Sequence, residues 1–147
     1  MAGSCSIARS VQEHRIKGFV LRIMVEDKIT SFTKLDAWAE GHKLVIRIYK
    51  ITKTFPKDEV FGLISQMRRC AVSITSNIAE GFSRHSWKEK LQFYSMSLGS
   101  LTELQNQLLI SRDVDYLSKE DFFECAEQTV RVSKLLNGLI KSAKKFA

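Results

Sequence analysis

Beyond residue 32, apolar positions recur every three or four residues along almost the whole chain, and no stretch alternates with the two-residue period of a strand. This spacing puts one apolar stripe on each of several helices. The first is predicted over residues 35–54, with Leu35, Trp38, Ala39, His42, Val45, Ile46, Tyr49 and Thr52 inward. Pro56 stops it, since the residue before a proline avoids helical dihedrals. The second, over 58–80, turns Leu63, Ile64, Met67, Cys70, Ala71, Ile74 and Ile78 inward, with Gly81 at a left-handed C-terminal cap. The third, over 86–112, uses Trp87, Leu91, Tyr94, Leu98, Leu101, Leu104 and Leu108. The fourth, over 118–145, uses Phe122, Cys125, Ala126, Thr129, Val132, Leu136, Leu139, Ile140 and Ala143. Thr33-Lys34-Leu35-Asp36 and Ser86-Trp87-Lys88-Glu89 have the form of capping boxes, and Ser118 with Asp121 opens the last helix in the same way. Short links near 55–57, 81–85 and 113–117 force antiparallel neighbours. The expected fold is all-α, an antiparallel up-and-down four-helix bundle over residues 32–147.

Residues 1–31 break the pattern. Val11, Ile16, Phe19, Val20 and Ile23 hint at a short amphipathic helix, interrupted by Arg15, Lys17, Gly18 and Arg22. Two readings stand: a weakly ordered extension with Met24 as an alternative start, or a basic helix docked on the bundle surface. Nothing in it has the length of a membrane span or the apolar core of a signal peptide.

Two polar rows run beside the apolar stripes. One holds Gln66, Arg69, Ser73, Ser76, Asn77 and Glu80; the other holds Ser95, Gly99, Thr102 and Asn106. Ser, Thr and Asn compete for backbone hydrogen bonds and are mediocre inside helices. A glycine such as Gly99 costs about 1 kcal/mol against alanine there. The rows therefore imply close packing within the bundle, plain exposure to solvent, or a subunit interface. For the last, Gln66, Arg69, Ser73, Ser76, Asn77, Ser95 and Gly99 are the candidates.

Charge narrows the partners. The net charge is +7, and residues 28–57 hold most of the excess, with seven basic and two acidic side chains. Such a balance favours nucleic acid, anionic lipid or an acidic protein. Lys43, Arg47 and Lys50 recur at helical spacing with Lys53 and Lys57 close by, a stripe able to follow a phosphate backbone. The competing reading is a solvated face whose cations complement the helix dipole. Arg68 is a candidate RNA contact, Arg69 an ion-pair partner of Glu80, Glu103 or another bundle carboxylate, and Lys141 and Lys144 further nucleic-acid candidates at the end of the last helix.

Catalytic signals are few. Cys5, Cys70 and Cys125 are odd in number and lack CxxC spacing, so Cys70 and Cys125 read as small buried thiols in a reducing cytoplasm. His42 reads as a core histidine. No metal-ligand spacing, P-loop, dinucleotide turn or paired catalytic carboxylates occur, so no metal, cofactor or catalytic residue is assigned. The set Gln66, Arg69, Asn77 and Glu80 supports only a remote possibility of chemistry in a pore formed by assembly.

Several stretches carry a family resemblance: Leu35-Asp36-Ala37-Trp38; Thr54-Phe55-Pro56 before Glu59 and Gly62-Leu63; Ser65-Gln66 with Arg68-Arg69; Ser76-Asn77-Ile78-Ala79-Glu80-Gly81 with Arg84 and Lys88-Glu89; Gly99-Ser100-Leu101 with Glu103-Leu104; and Gly138-Leu139-Ile140. From Phe32 to about Lys144 the chain resembles the four-helix bundle proteins encoded in intervening sequences of bacterial large-subunit ribosomal RNA genes. The resemblance implies homo-oligomers, pentameric in some members, and kinship with the basic accessory protein of diversity-generating retroelements, which works with a reverse transcriptase and its RNA. Where that motif tends to have proline, this chain has Thr75, which implies a straighter second helix. It implies no settled activity. The expectation is a cytoplasmic, non-enzymatic homo-oligomer that binds RNA or a ribonucleoprotein, with a protein–protein adaptor as the alternative.

Overall fold

The α2 stripe closes the core as its spacing predicts: Ile64, Met67, Cys70, Ala71, Ile74 and Ile78 are all buried. The structure, a computed structural model, describes residues 29–147. The chain divides into two units, Met1–Ser31 and Phe32–Ala147, and the second is described here. The expected amphipathic helix of the extension, Met24 and Cys5 lie outside the described residues. The second unit holds four helices: α1 (Asp36–Thr52), α2 (Leu63–Ser83), α3 (Trp87–Asp113) and α4 (Lys119–Phe146). Short 3-10 turns, Phe32–Lys34 and Lys57–Glu59, precede α1 and α2. In sequence order each helix packs on the next, and α4 returns to α1, while the diagonal pairs stay apart. This is an up-and-down four-helix bundle, with no strand among the described residues.

The helix starts show which polar groups satisfy the first orphan amides. Ser86 Oγ accepts from the Glu89 amide at 3.1 Å, and Ser118 Oγ from the Asp121 amide at 3.0 Å. At α1 the expected box does not form. Thr33 belongs to the preceding 3-10 turn, and Leu35 holds the cap position without a side-chain bond. α2 begins at Leu63 rather than residue 58, because the Glu59 carboxylate accepts the Leu63 amide at 2.8 Å and opens the helix there.

The phase of α1 also differs from expectation. Its buried residues are Ala37, Gly41, Leu44, Ile48, Ile51 and Thr52, while Ile46 and Tyr49 are exposed. His42 is no core histidine: it is exposed and stacks on Trp38, the rings 4.8 Å apart and 13° from parallel. Small residues on the true inward face allow the close approach, with Gly41 facing Thr75, Ile74 and Ile78 of α2. α2 itself runs unbroken through Thr75.

The α2–α3 seam is built from small residues and hydrogen bonds. Ser97 Oγ donates to the Ile74 carbonyl at 2.7 Å. Cys70 Sγ donates to the Ser100 carbonyl at 2.9 Å, and Ser73 and Ser100 share a hydroxyl bond at 2.9 Å. Gly81 is not the expected left-handed cap, since no described glycine has positive φ. It is buried inside α2, where an added Cβ would lie 2.7 Å from the Tyr94 ring and 3.0 Å from Phe93 Cβ. Lys90 reaches back to this helix end, its Nζ donating to the Phe82 carbonyl at 2.7 Å.

Gly81→Ala therefore tests the seam. Helix propensity alone would favour alanine by about 1 kcal/mol. Overpacking against Tyr94 outweighs it, and a net loss of about 1–2 kcal/mol is expected in urea unfolding. An unchanged or raised midpoint would show that the ring gives way freely.

Candidate nucleic-acid interface

Thr52 is the pivot of a groove where cations gather without carboxylates. It closes the inward face of α1 at 1% exposure. Its Oγ1 donates to the Ile48 carbonyl at 2.7 Å and accepts from Arg68 Nε at 2.9 Å. The Arg68 guanidinium lies over the Tyr49 ring, 4.8 Å from its centroid. A buried hydroxyl and an aromatic face thus fix Arg68, with no ion pair to it among the described residues. Around it opens a groove of about 700 Å³ between the end of α1, the following connection and the start of α2. Lys53, Lys57, Arg68 and Arg69 line it, with Tyr49, Phe55, Val60 and Val72 among the apolar walls and no carboxylate in the lining. One residue past Val60, Phe61 is 97% exposed.

The stripe Lys43, Arg47 and Lys50 sits elsewhere, at the α1–α4 seam. There it shares a groove of about 380 Å³ with Asp121 and Glu124. Lys43 pairs with Glu40 at 2.7 Å and Arg47 pairs with Glu124, while Lys50 has no ion pair among the described residues. Lys43 and the Gln128 amide, which donates to Glu40 Oε2 at 2.8 Å, hold the Glu40 carboxyl below its ordinary pKa. The structure thus separates the sequence candidates. Lys53 and Arg68 meet at one groove, while Lys43, Arg47 and Lys50 form a partly neutralised second one. Lys141 and Lys144, exposed near the end of α4, lie at the opposite end of the bundle from Arg68.

Among the described residues Arg69 makes no ion pair, contrary to expectation. Glu80 pairs instead with Arg84 one turn on, and Glu103 accepts from Gln107 Nε2 at 3.2 Å. Arg69 is exposed, so water replaces the partner that burial would demand. Gln66, Arg69, Cys70, Ser73, Ser100 and Glu103 line a third groove, of about 340 Å³, over the α2–α3 seam. Within that seam Ser73 bonds Ser100, and Asn77 Nδ2 donates back to the Ser73 carbonyl at 2.8 Å. Ser76, Ser95 and Gly99 are exposed, and an added Cβ at Gly99 would meet nothing within 4 Å. Of the groove residues, Tyr49 and Thr52 stood in the sequence only as core positions; Phe61, next to the lining residue Val60, carried no signal in the sequence because its connection reads there as part of a helix.

Among the described residues no three His, Cys, Asp or Glu side chains converge as a metal site, and no helix is long and apolar enough to cross a membrane. Burial pushes the Cys70 thiol up to about 12 and the Cys125 thiol up to about 11.

The class is thus a four-helix bundle with a basic groove at one end of its first hairpin. Residues 33–138 match the family described as 23S rRNA-intervening sequence protein, and the chain belongs to that family. Among solved structures, it is similar to a protein of unknown function from the S23 ribosomal protein family of Bacteroides thetaiotaomicron VPI-5482. That likeness has a TM-score of 0.66 at 20% identity and covers 71% of this chain and 95% of the other. It shows the shared fold. No curated protein matches the chain.

The thiol shifts give a signed pH prediction. A thiol kept neutral by the fold but free to ionise when unfolded stabilises the native state below its unfolded pKa, near 9.0. That contribution declines as pH rises from there towards about 11 for Cys125 and about 12 for Cys70. Unfolding free energy should fall above pH ~9, less steeply in the Cys70→Ala/Cys125→Ala variant. In native protein at neutral pH, peptide mapping should find both thiols unalkylated.

Proposed function

We propose that this chain is a non-enzymatic, homo-oligomeric bundle that binds RNA, or an RNA–protein complex, in the cytoplasm through the basic end of its α1–α2 hairpin. The observation that carries this reading is the Arg68 groove, where Lys53, Lys57, Arg68 and Arg69 converge without a carboxylate. Phosphates neutralised there release counterions and gain affinity without reading sequence. The lining offers cations, hydroxyls and apolar walls, a set suited to holding an anion rather than moving its protons. Lys50 continues the positive field onto α1, while the Lys43 and Arg47 pairs weaken it there.

Gly99 supports self-association. It sits inside α3 on the face opposite the buried Leu101, Leu104 and Leu108, where nothing among the described residues takes advantage of the missing side chain. Ser95, Thr102 and Asn106 share that exposed row. A partner helix approaching closely there offsets the helix-propensity cost. The second reading, a protein–protein adaptor, draws on the outer side of α4. There Phe123, Ala126 and Val130 form an apolar groove edged by Glu127, Arg131 and Lys134. Partners pulled from lysate that survive nuclease treatment favour it; partners lost with the nuclease favour RNA.

Two outcomes check the leading reading. The folded variant Lys53→Glu/Lys57→Glu/Arg69→Glu should lose RNA retention at low salt. Wild-type affinity should fall roughly 50-fold over a fourfold rise in salt if about four phosphates are neutralised. A flat salt response, or full retention by the variant, overturns the assignment. For assembly, Gly99→Ala should lower the mass seen by light scattering. If α3 faced only water, the same change would leave the mass alone and stabilise the chain by up to about 1 kcal/mol.

A further inference from the structure

We propose that the Arg68 groove takes single-stranded rather than duplex RNA, with phosphates on its four cations and an unstacked base on Phe61. The inference rests on the RNA-binding reading above and names the class of strand that this site accepts.

Phe61 is the first observation. An aromatic ring 97% exposed in a short connection makes almost no use of its own fold. It follows Val60, whose side chain forms part of the groove wall and is itself half exposed. An isolated apolar side chain on a surface needs no explanation. Phe61 is not itself in the lining, but it is the next residue after Val60 of the wall. Clustered cations with an exposed ring one residue beyond them are the elements by which proteins hold single strands, a positive path for the backbone and a ring for a splayed base. A duplex keeps its bases stacked and has nothing to place on Phe61.

Arg68 is the second. Only its Nε is spent, on Thr52 Oγ1, so the N–H donors of both terminal nitrogens remain for a ligand. One face of the guanidinium plane rests on Tyr49. A fork held in this way is ordered before the ligand arrives, which lowers the entropic cost of gripping a phosphate. A lysine at this position would keep the charge but lose the planar stack and the bidentate geometry.

Shape is the third. The groove is concave and about 700 Å³, room for one or two nucleotides lying along it. A double helix presents a convex ridge of phosphates that touches rims and flat stripes. The stripe of Lys43 and Arg47 also lies in a groove, and both of its side chains are already paired with carboxylates.

The test uses the full chain and fluorescence anisotropy at low salt, with two probes: an oligouridine strand of about 20 nucleotides and a blunt RNA duplex of the same length. The expected result is at least tenfold tighter binding of the single strand. Phe61→Ala should lose about tenfold on that strand and leave the duplex unchanged. Arg68→Lys should weaken the strand severalfold although the net charge is kept. Circular dichroism and light scattering establish that both variants keep the fold and assembly. Equal affinity for the two probes, with Phe61→Ala unchanged on both, overturns the single-strand inference while leaving RNA binding intact. Binding of neither probe by wild type overturns both.

Discussion

Everything in this bundle is organised around how closely α2 can lie against α3. The approach requires small residues on both sides: Gly81 under Tyr94, Ser73 against Ser100, and Ser97 on the Ile74 carbonyl. Ser73, Ser97, Ser100 and the Cys70 thiol each find a partner in the seam, so their burial costs little unmet hydrogen bonding, while the buried Gln107 Oε1 and Arg84 Nε have none among the described residues. Cys70 fits the same logic as a small side chain whose thiol donates to a carbonyl. Once this pair is set, Met67, Ile74, Leu101, Leu104 and Leu108 join one core cluster, which α1 completes with Leu44 and Ile48 and α4 with Val132 and Leu136. The polar serines and asparagine of α2 are therefore not a gap in its amphipathic pattern. Ser73 and Asn77 are the edge of its tightest contact.

Much of this was legible in the sequence. The stripes of α2, α3 and α4, the caps at Ser86 and Ser118, and the up-and-down order follow from spacing, except that Trp87, expected inward at the start of α3, is exposed and packs on Phe146 at the end of α4. α1 did not read correctly, for a physical reason. It carries Leu44, Val45, Ile46, Ile48, Tyr49 and Ile51 in eight positions, so apolar residues cover most of its circumference. Large aromatic side chains then draw the apparent stripe towards Trp38 and Tyr49, while the actual contact selects Ala37 and Gly41 because only small residues allow the backbones to meet. Rotating the face by roughly one residue, about 100°, changes the meaning of the charges. Lys43, Arg47 and Lys50 cease to be the far side of the helix and become a flank of the α1–α4 seam, where Asp121 and Glu124 of α4 meet them.

The same rotation brings the Arg68 groove into being. Turned away from the core, Tyr49 becomes a wall on which a guanidinium can rest, and Thr52 becomes the buried hydroxyl that holds it. Neither role was visible, because a sequence pattern assigns an aromatic and a threonine on an apolar stripe to packing. Lys53 and Lys57 were visible as charge, yet their convergence with Arg68 and Arg69 depends on the connection after Pro56. That segment does not join α2 but turns through Lys57–Glu59 before Glu59 opens the helix at Leu63. Charge counts registered the cations, and only the turn could show that they share one concavity.

The two proposed contact faces are compatible in the geometry of the square. α1 and α3 are diagonal, so copies meeting through the outer row at Ser95 and Gly99 leave the α1 side of the molecule uncovered. α2 lies between them and is where the demands meet. Arg69 and Ser73 line both the basic groove and the groove over the α2–α3 seam. Ser73 is committed to Ser100, but Arg69 is exposed and unpaired, free to turn to either side. A neighbouring copy carrying a carboxylate to the seam would draw Arg69 away from the phosphate path, and an anion in the groove would draw it back. Assembly and anion binding are then linked through one side chain, with a sign set by the charge the neighbour presents.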